Sequence, residues 1–356
     1  VGAGCRPAAL ADRRHGRGRG GAVAIDVPDV SSERETRPTE LEPGATNAIG
    51  RTLGLLGDEW TLLIVQQALQ GVGRFGQLMA ALPISNSVLT SRLNLLVREG
   101  LLRRHIYQTN PLRAEYVVTD RSRALWPFML AIWEWERRWV AEHAEHLPTM
   151  HHEACGHDFA PVLSCGACGK PVEAKDIDGD WGPSGSWERS VPESVTRRRS
   201  DSDAARSSAG LFPETMMVFG NRWASALLGA AFRGVTRFSD FEANLGAPPT
   251  LVAERLRAFV AIDVLVATQN AQRPDWAEYR LTEKGRAFYP VIAASLQWGQ
   301  EWFRAPEGPA IVQHHRACGE PFEATFRCDQ CHEVLTGHDI TIVGRSDRTT
   351  AGEEDR

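Results

Sequence analysis

The chain has 356 residues, 42% hydrophobic and 24% charged, with 45 acidic against 40 basic side chains and a formal net charge of −5. That length exceeds one ordinary core and predicts two or three domains, and no run of 18 apolar residues is present to cross a bilayer. Only Lys170, Lys175 and Lys284 are lysine, so the arginine content reflects coding bias as much as function, and the negative balance excludes a uniformly basic nucleic-acid binder.

In chain order, residues 1–46 are rich in Gly, Pro and charge and are expected to be disordered. Val1 to Gly21 lacks the apolar stretch of a secretory signal, so the expected location is cytoplasmic. Ile49–Leu56 and Trp60–Leu69 have helical spacing, with Asp58 placed to cap the second. Arg74–Ala81 predicts a short helix, Pro83 and Ser85 a turn, and Ser87–Glu99 a helix with Leu89, Leu93, Leu96 and Val97 on one face. Gly100 ends it. Leu101–Gln108 and Ala114–Thr119 alternate around Thr109, Asn110 and Pro111 as a hairpin, and one long helix is expected from Arg121 to about Glu145.

A shift of 163 residues lays the chain on itself without a gap. Gly57, Trp60, Gly71, Arg74 and Phe75 fall on Gly220, Trp223, Gly234, Arg237 and Phe238, and Thr119, Pro127, Trp135 and Trp139 fall on Thr282, Pro290, Trp298 and Trp302. Shared apolar period alone does not align tryptophans, prolines and glycines over about a hundred residues, so the domain is duplicated. The reading is mainly α with small β wings: winged helix-turn-helix domains at 47–147 and 211–310, small zinc-ribbon-like β tails at 148–178 and 311–344, a flexible linker at 179–210 and a disordered end at 345–356.

Gly57, Trp60, Arg74 to Gly76, the run LTSRL at Leu89 to Leu93, Glu99 to Leu101, Glu115, Tyr116 and Thr119 together resemble the HxlR-type bacterial transcription regulators across that family's whole domain. The resemblance implies a DNA-binding regulator working as a dimer, here either a homodimer or an intramolecular pseudo-dimer of the two repeats, with double-stranded operator DNA as partner and an unknown small-molecule effector open. Several members sense oxidants through a cysteine thirteen residues before the tryptophan. That position is Asn47 here and Gly210 in the second repeat, so thiol sensing is not carried over.

From Ser85 to Arg113 five arginines stand against Glu99 alone, whereas Pro248 to Trp276 sets Arg255, Arg257 and Arg273 against Glu254, Asp263 and Asp275. Counterion release rewards only the first arrangement. The expected DNA contacts are therefore Asn86, Ser87, Thr90, Ser91, Arg92, Arg103, Arg104 and Arg113, with Pro249, Thr250, Ala253 and Glu254 marking a reduced contact in the second repeat. Arg92 and Arg255, set between apolar neighbours, could equally be structural arginines.

Six of the seven cysteines fall in the tails, and Cys5 stands alone without an expected role. His152, Cys155, Cys165 and Cys168 in the first tail, and His315, Cys318, Cys328 and Cys331 in the second, have the types and spacing of zinc knuckles, each tail expected to hold one structural Zn2+. His151 and His314 compete for the fourth place. Four protein ligands leave no open position for water, which argues against an enzyme. Two other readings stay open: a protein-interaction scaffold on degenerate winged helices, and a metal-responsive switch.

Overall fold

A computed structural model describes residues 37–144, 147–191, 212–220, 222–269 and 276–343. After β1 (Thr39–Glu40) come α1 (Ala48–Leu56), α2 (Glu59–Leu69), α3 (Phe75–Ala81) and α4 (Asn86–Arg98), the hairpin β2 (Leu102–Thr109) and β3 (Leu112–Val118), then α5 (Asp120–Arg123), α6 (Trp126–Trp139) and α7 (Ala141–Ala144). The tail follows as β4 (Thr149–His152), β5 (His157–Asp158), β6 (Pro161–Cys165) and β7 (Ile177–Trp181), with α8 (Trp187–Ser190) beyond it. The second repeat runs α9 (Pro213–Phe219), α10 (Arg222–Phe232), α11 (Phe238–Leu245), α12 (Pro249–Ala261), β8 (Leu265–Gln269), β9 (Ala277–Leu281), α13 (Glu283–Arg286), α14 (Tyr289–Trp302) and β10 (Phe303–Arg304). Its tail is β11 (Ile311–His315), β12 (Ala324–Cys328) and β13 (Ile340–Val343).

Local chemistry sets these boundaries. Asp58 accepts from the Thr61 amide at 2.9 Å to start α2, and Ser85 accepts from the Val88 amide at 3.4 Å to start α4. Leu89, Leu93, Leu96 and Val97 of α4 are buried, each burial contributing roughly 1.5–3 kcal/mol. Gly100 leaves the helix at φ 72°, and Asp263 takes the same left-handed turn at φ 58° in the second repeat. The expected long helix after Arg121 is instead broken into α5, α6 and α7: Pro127 lacks the N–H a continuous helix requires and sits where it is tolerated, in the first turn of α6.

Two segments expected to be flexible carry order. Thr39 and Glu40 pair in parallel with Phe303 and Arg304, and the Leu41 amide donates to the Arg304 carbonyl at 2.8 Å. Within 179–210, β7 reaches Trp181 and α8 forms at Trp187–Ser190, because the two tryptophans meet edge to face at 5.1 Å and Ser184 is buried, its hydroxyl donating to the Gly308 carbonyl. Average composition hides two large aromatic anchors. Residues 1–36, Cys5 among them, residues 192–210 and the expected disordered end at 345–356 lie outside the described residues.

One connected apolar core runs through both repeats. Helix α1 packs on α14, α6 on α14, and α9 on α6, so the first and last helices of each domain cross to the other. Gly299 permits the close approach of α14 to α1, since a Cβ there would stand 2.1 Å from the Thr52 hydroxyl. The tails exchange strands as well: β13 pairs with β4, β11 with β7, and β12 with β6, all antiparallel and all joining opposite repeats. The two copies are related as the halves of a two-fold dimer would be.

Candidate nucleic-acid interface and metal centres

Helices α3 and α4 and the β2–β3 hairpin form a winged helix-turn-helix, with α4 seated on its apolar seam and its opposite side in solvent. Asn86, Ser87 and Ser91 are exposed and Thr90 is half-buried. Arg113 is exposed on β3 opposite Gln108, while Arg103 and Arg104 are half-buried on β2. Arg104 lies opposite Tyr116, whose hydroxyl burial pushes above its usual range, with the arginine's charge working in the other direction. The wing tip is apolar as well as basic, with Ile106 47%, Tyr107 38% and Leu112 56% exposed. The sequence reading did not single out Tyr107, which falls at the register irregularity between Ile106 and Gln108 and whose ring lies 4.8 Å under the Arg74 guanidinium.

Arg92 is corrected. Its Nε donates to Asp58 Oδ1 at 2.8 Å and its Nη2 to Oδ2 at 2.9 Å, a two-pronged pair in which Asp58 also caps α2. The pair ties α4 to α2, the structural alternative for this arginine. In the second repeat Asn221 stands at the position of Asp58, and the counterpart Arg255 turns to the exposed Glu254 at 2.9 Å while its buried Nε has no hydrogen-bond partner among the described residues. Helix α12 begins at Pro249 with no side-chain cap.

The expected metal ligands come together, but in a different grouping. His152 and Cys155 of the first tail meet Cys328 and Cys331 of the second; Cys165 and Cys168 of the first meet His315 and Cys318 of the second. Within each group every ligand atom lies within 4.8 Å of the others. His152 Nδ1 is 3.3 Å from Cys155 Sγ and 3.4 Å from Cys331 Sγ, and Cys155 Sγ is 3.9 Å from Cys328 Sγ. The other group repeats this, His315 Nδ1 standing 3.3 Å from both Cys318 Sγ and Cys168 Sγ, with Cys165 Sγ 4.0 Å from Cys318 Sγ. Zn–S bonds of about 2.3 Å at tetrahedral angles place two sulfurs roughly 3.8 Å apart, so the donor sets fit a tetrahedral ion. All six cysteines are free thiols.

Within the first tail β6 separates the two knuckles. Its five extended residues carry Cys165 roughly 13 Å along the strand, away from Cys155. The β6–β12 ribbon sets Cys165 opposite Ala324 and Cys328 opposite Pro161, so each knuckle reaches the partner tail's histidine end. Knuckle turns take positive φ at Gly156, Gly169 and Gly319, and at His332, where φ is 65°. The Lys170 amide holds the Cys168 thiol below its usual range, and the Glu333 amide does the same for Cys331. His151 and His314 are outside both groups; His151 Nδ1 faces Asp158 at 3.2 Å instead.

Fold and sites define a tandem winged helix-turn-helix protein with two shared Cys/His centres. The HxlR-like helix-turn-helix family matches residues 55–144 and 218–307, and the chain belongs to that family. Rv3095 of Mycobacterium tuberculosis, described as an uncharacterized HTH-type transcriptional regulator, is 37% identical over 124 residues, covering 35% of this chain and 78% of the relative. YvaP of Bacillus subtilis, with the same description, is 38% identical over 91 residues, 25% of this chain and 84% of its own. The crystal structure of PA1607 aligns with 40% of this chain and 97% of its own at 33% identity, with a TM-score of 0.35. Among the described residues no helix is long and apolar enough to cross a membrane.

Proposed function

We propose that this chain, a DNA-binding transcription regulator, contacts its operator mainly through the first winged helix, with Asn86, Ser87, Thr90 and Ser91 on the reading helix and Arg103, Arg104 and Arg113 on the wing. The observation that carries the reading is the contrast between two copies of one helix. Exposed Asn86, Ser87 and Ser91 can donate to and accept from base edges and phosphates, whereas α12 offers a proline start and exposed Glu254, which repels phosphate. The second domain serves as the built-in partner that positions the first. Operator geometry then follows one chain rather than two, and a homodimer of whole chains is the competing arrangement.

The two Cys/His groups hold structural zinc, one ion each, ligated by His152, Cys155, Cys328 and Cys331 and by Cys165, Cys168, His315 and Cys318. Four protein donors complete each tetrahedron and leave no place for a reactive water, which supports a non-enzymatic role. Bound zinc supplies a cross-link between the tails; this chain's part is to present thiolates and imidazoles from both repeats at once.

Fluorescence anisotropy on DNA from upstream of the chain's own gene tests the reading. Arg103→Ala, Arg104→Ala and Arg113→Ala should each weaken binding across sequences and flatten the salt dependence by about one charge where a phosphate contact is lost. Ser87→Ala or Asn86→Ala should relax sequence preference, and equivalent changes at Pro249 and Thr250 should leave binding intact. Undiminished affinity in all first-repeat variants would overturn the assignment in favour of a protein-interaction scaffold.

A further inference from the structure

A cavity of about 370 Å³ opens beside the second repeat, within the size range of small-molecule sites. Its walls come from α1, α9, α10, α14, β7, α8 and β11, and include the rings of Trp181, Trp187, Phe219, Phe232 and Tyr289. We propose that this cavity binds a small planar aromatic acid.

The duplication shows why the space exists. Ser225, Gly229, Ser295 and Leu296 line it, and their counterparts in the first repeat are Leu62, Gln66, Ile132 and Trp133. Leu62, Ile132 and Trp133 are buried there, and Trp133 Nε1 donates at 3.1 Å to the carbonyl of Pro148, the counterpart of the cavity residue Ile311. Each change in the second repeat removes bulk. A Cβ at Gly229 would meet only Trp187, at 3.9 Å, so a side chain from that position would enter the cavity. The aromatic wall is also particular to this copy, because Trp181 and Trp187 correspond to Gly344 and Thr350.

Besides Arg233 and Tyr289 the polar lining holds Ser190, Ser225, Ser295 and Asp178, whose carboxylate is paired with Arg316. Arg233, the counterpart of Gln70, lies 5.0 Å over the Trp181 ring and donates to the Gly179 carbonyl at 3.1 Å, which fixes a cation at the rim with donors to spare. Tyr289 is buried, and its hydroxyl accepts from Gln313 Nε2 at 3.2 Å, leaving its own O–H to donate. Burial holds that phenol well above its ordinary range, so it stays a donor at neutral pH. Aromatic faces, the interior Tyr289 O–H and a fixed guanidinium at the mouth suit a flat ring system carrying a carboxylate. Strand β11, which contributes Ile311 and Gln313 to the wall, ends in the metal-group residue His315.

Calorimetric titration of the full-length, metal-loaded protein with 1-naphthoate tests this without reference to DNA. One equivalent should bind the wild type. Gly229→Gln and Ser295→Ile, which restore the bulk of the first repeat, should weaken it about tenfold or more with metal content and melting temperature unchanged. Arg233→Gln, at an exposed position that does not put folding at risk, should weaken 1-naphthoate about tenfold and leave neutral 1-naphthalenemethanol unaffected. No binding to wild type at millimolar 1-naphthoate, or equal binding by Gly229→Gln and Ser295→Ile, overturns the site. Equal loss of both probes in Arg233→Gln, or of neither, overturns the choice of an acid.

Discussion

Trp135 donates its indole N–H to the carbonyl of Lys284 at 3.1 Å, and Trp298, its counterpart 163 residues on, donates to the carbonyl of Arg121, the counterpart of Lys284, at 2.9 Å. The two bonds are one interaction made twice across a pseudo-two-fold, each crossing from one repeat to the other. Their donors are buried, so a lost bond leaves a carbonyl unpaired in the interior. Trp135→Phe and Trp298→Phe should each lower stability by about 1–3 kcal/mol in urea denaturation, with the double variant close to the sum. A change confined to one of the two would show that the interface is not used symmetrically.

The exchange of metal ligands between tails gives a test by counting. Cys155→Ser combined with Cys328→Ser should reduce bound zinc from two equivalents to one, because both residues serve the same ion. Cys155→Ser combined with Cys165→Ser should abolish both sites. A within-tail arrangement requires the reverse pattern, and metal analysis of the purified variants distinguishes the two.

Arg92 should behave as a structural residue. Arg92→Ala leaves Asp58, 5% exposed, without its cation, and a loss of roughly 3 kcal/mol is expected in chemical denaturation. The salt slope of DNA binding by the folded fraction should not change. A stable variant with a flattened slope would return Arg92 to the nucleic-acid interface.

Glu136 should make the stability of the domain interface depend on pH. Its Oε1 accepts from the Thr215 amide at 2.8 Å and its Oε2 faces His143 Nδ1 at 2.9 Å, and burial pushes the carboxyl above its ordinary 4.5. A raised folded value means that folding takes up a proton. The stabilisation is full below the unfolded value and is lost as pH rises through the folded one. Glu136→Gln keeps an acceptor for Thr215 and removes the titration. Its melting temperature relative to wild type should therefore rise from pH 4.5 toward neutrality; a constant difference would show that the carboxyl does not titrate in that window.

The winged helices were readable because each of their signals is local. The Asp58 cap, the 3- and 4-residue spacing of Leu89 to Val97, the turn at Gly100 and the alternation around Asn110 all act within a few residues. The metal residues were readable by type and spacing, yet their grouping was not. Cys155 is ten residues from Cys165 in the chain and 173 from its partner Cys328, and nothing in the spacing tells which knuckle the strand between them will reach. Arg92 and Arg255 sit in the same sequence pattern, yet Arg92 pairs with Asp58, where the second repeat has Asn221, and Arg255 pairs with Glu254, where the first repeat has Ser91. The wall formed by Trp181 and Trp187 was lost in a polar, glycine-rich average, although two tryptophans in such a stretch are themselves a sign of docking.

Asn47 occupies the place where related regulators keep a reactive thiol, and it is fully buried. Its carbonyl oxygen accepts from the Gly50 amide at 3.2 Å, and its amide nitrogen donates to the Ser184 carbonyl at 3.0 Å and the Ser190 hydroxyl at 2.9 Å. A side chain that cannot be oxidised under mild conditions thus fastens the connector between the halves to the start of the first. Because both halves are read from a single gene, a change on one side is not repeated on the other, and the two are free to diverge without having to remain copies.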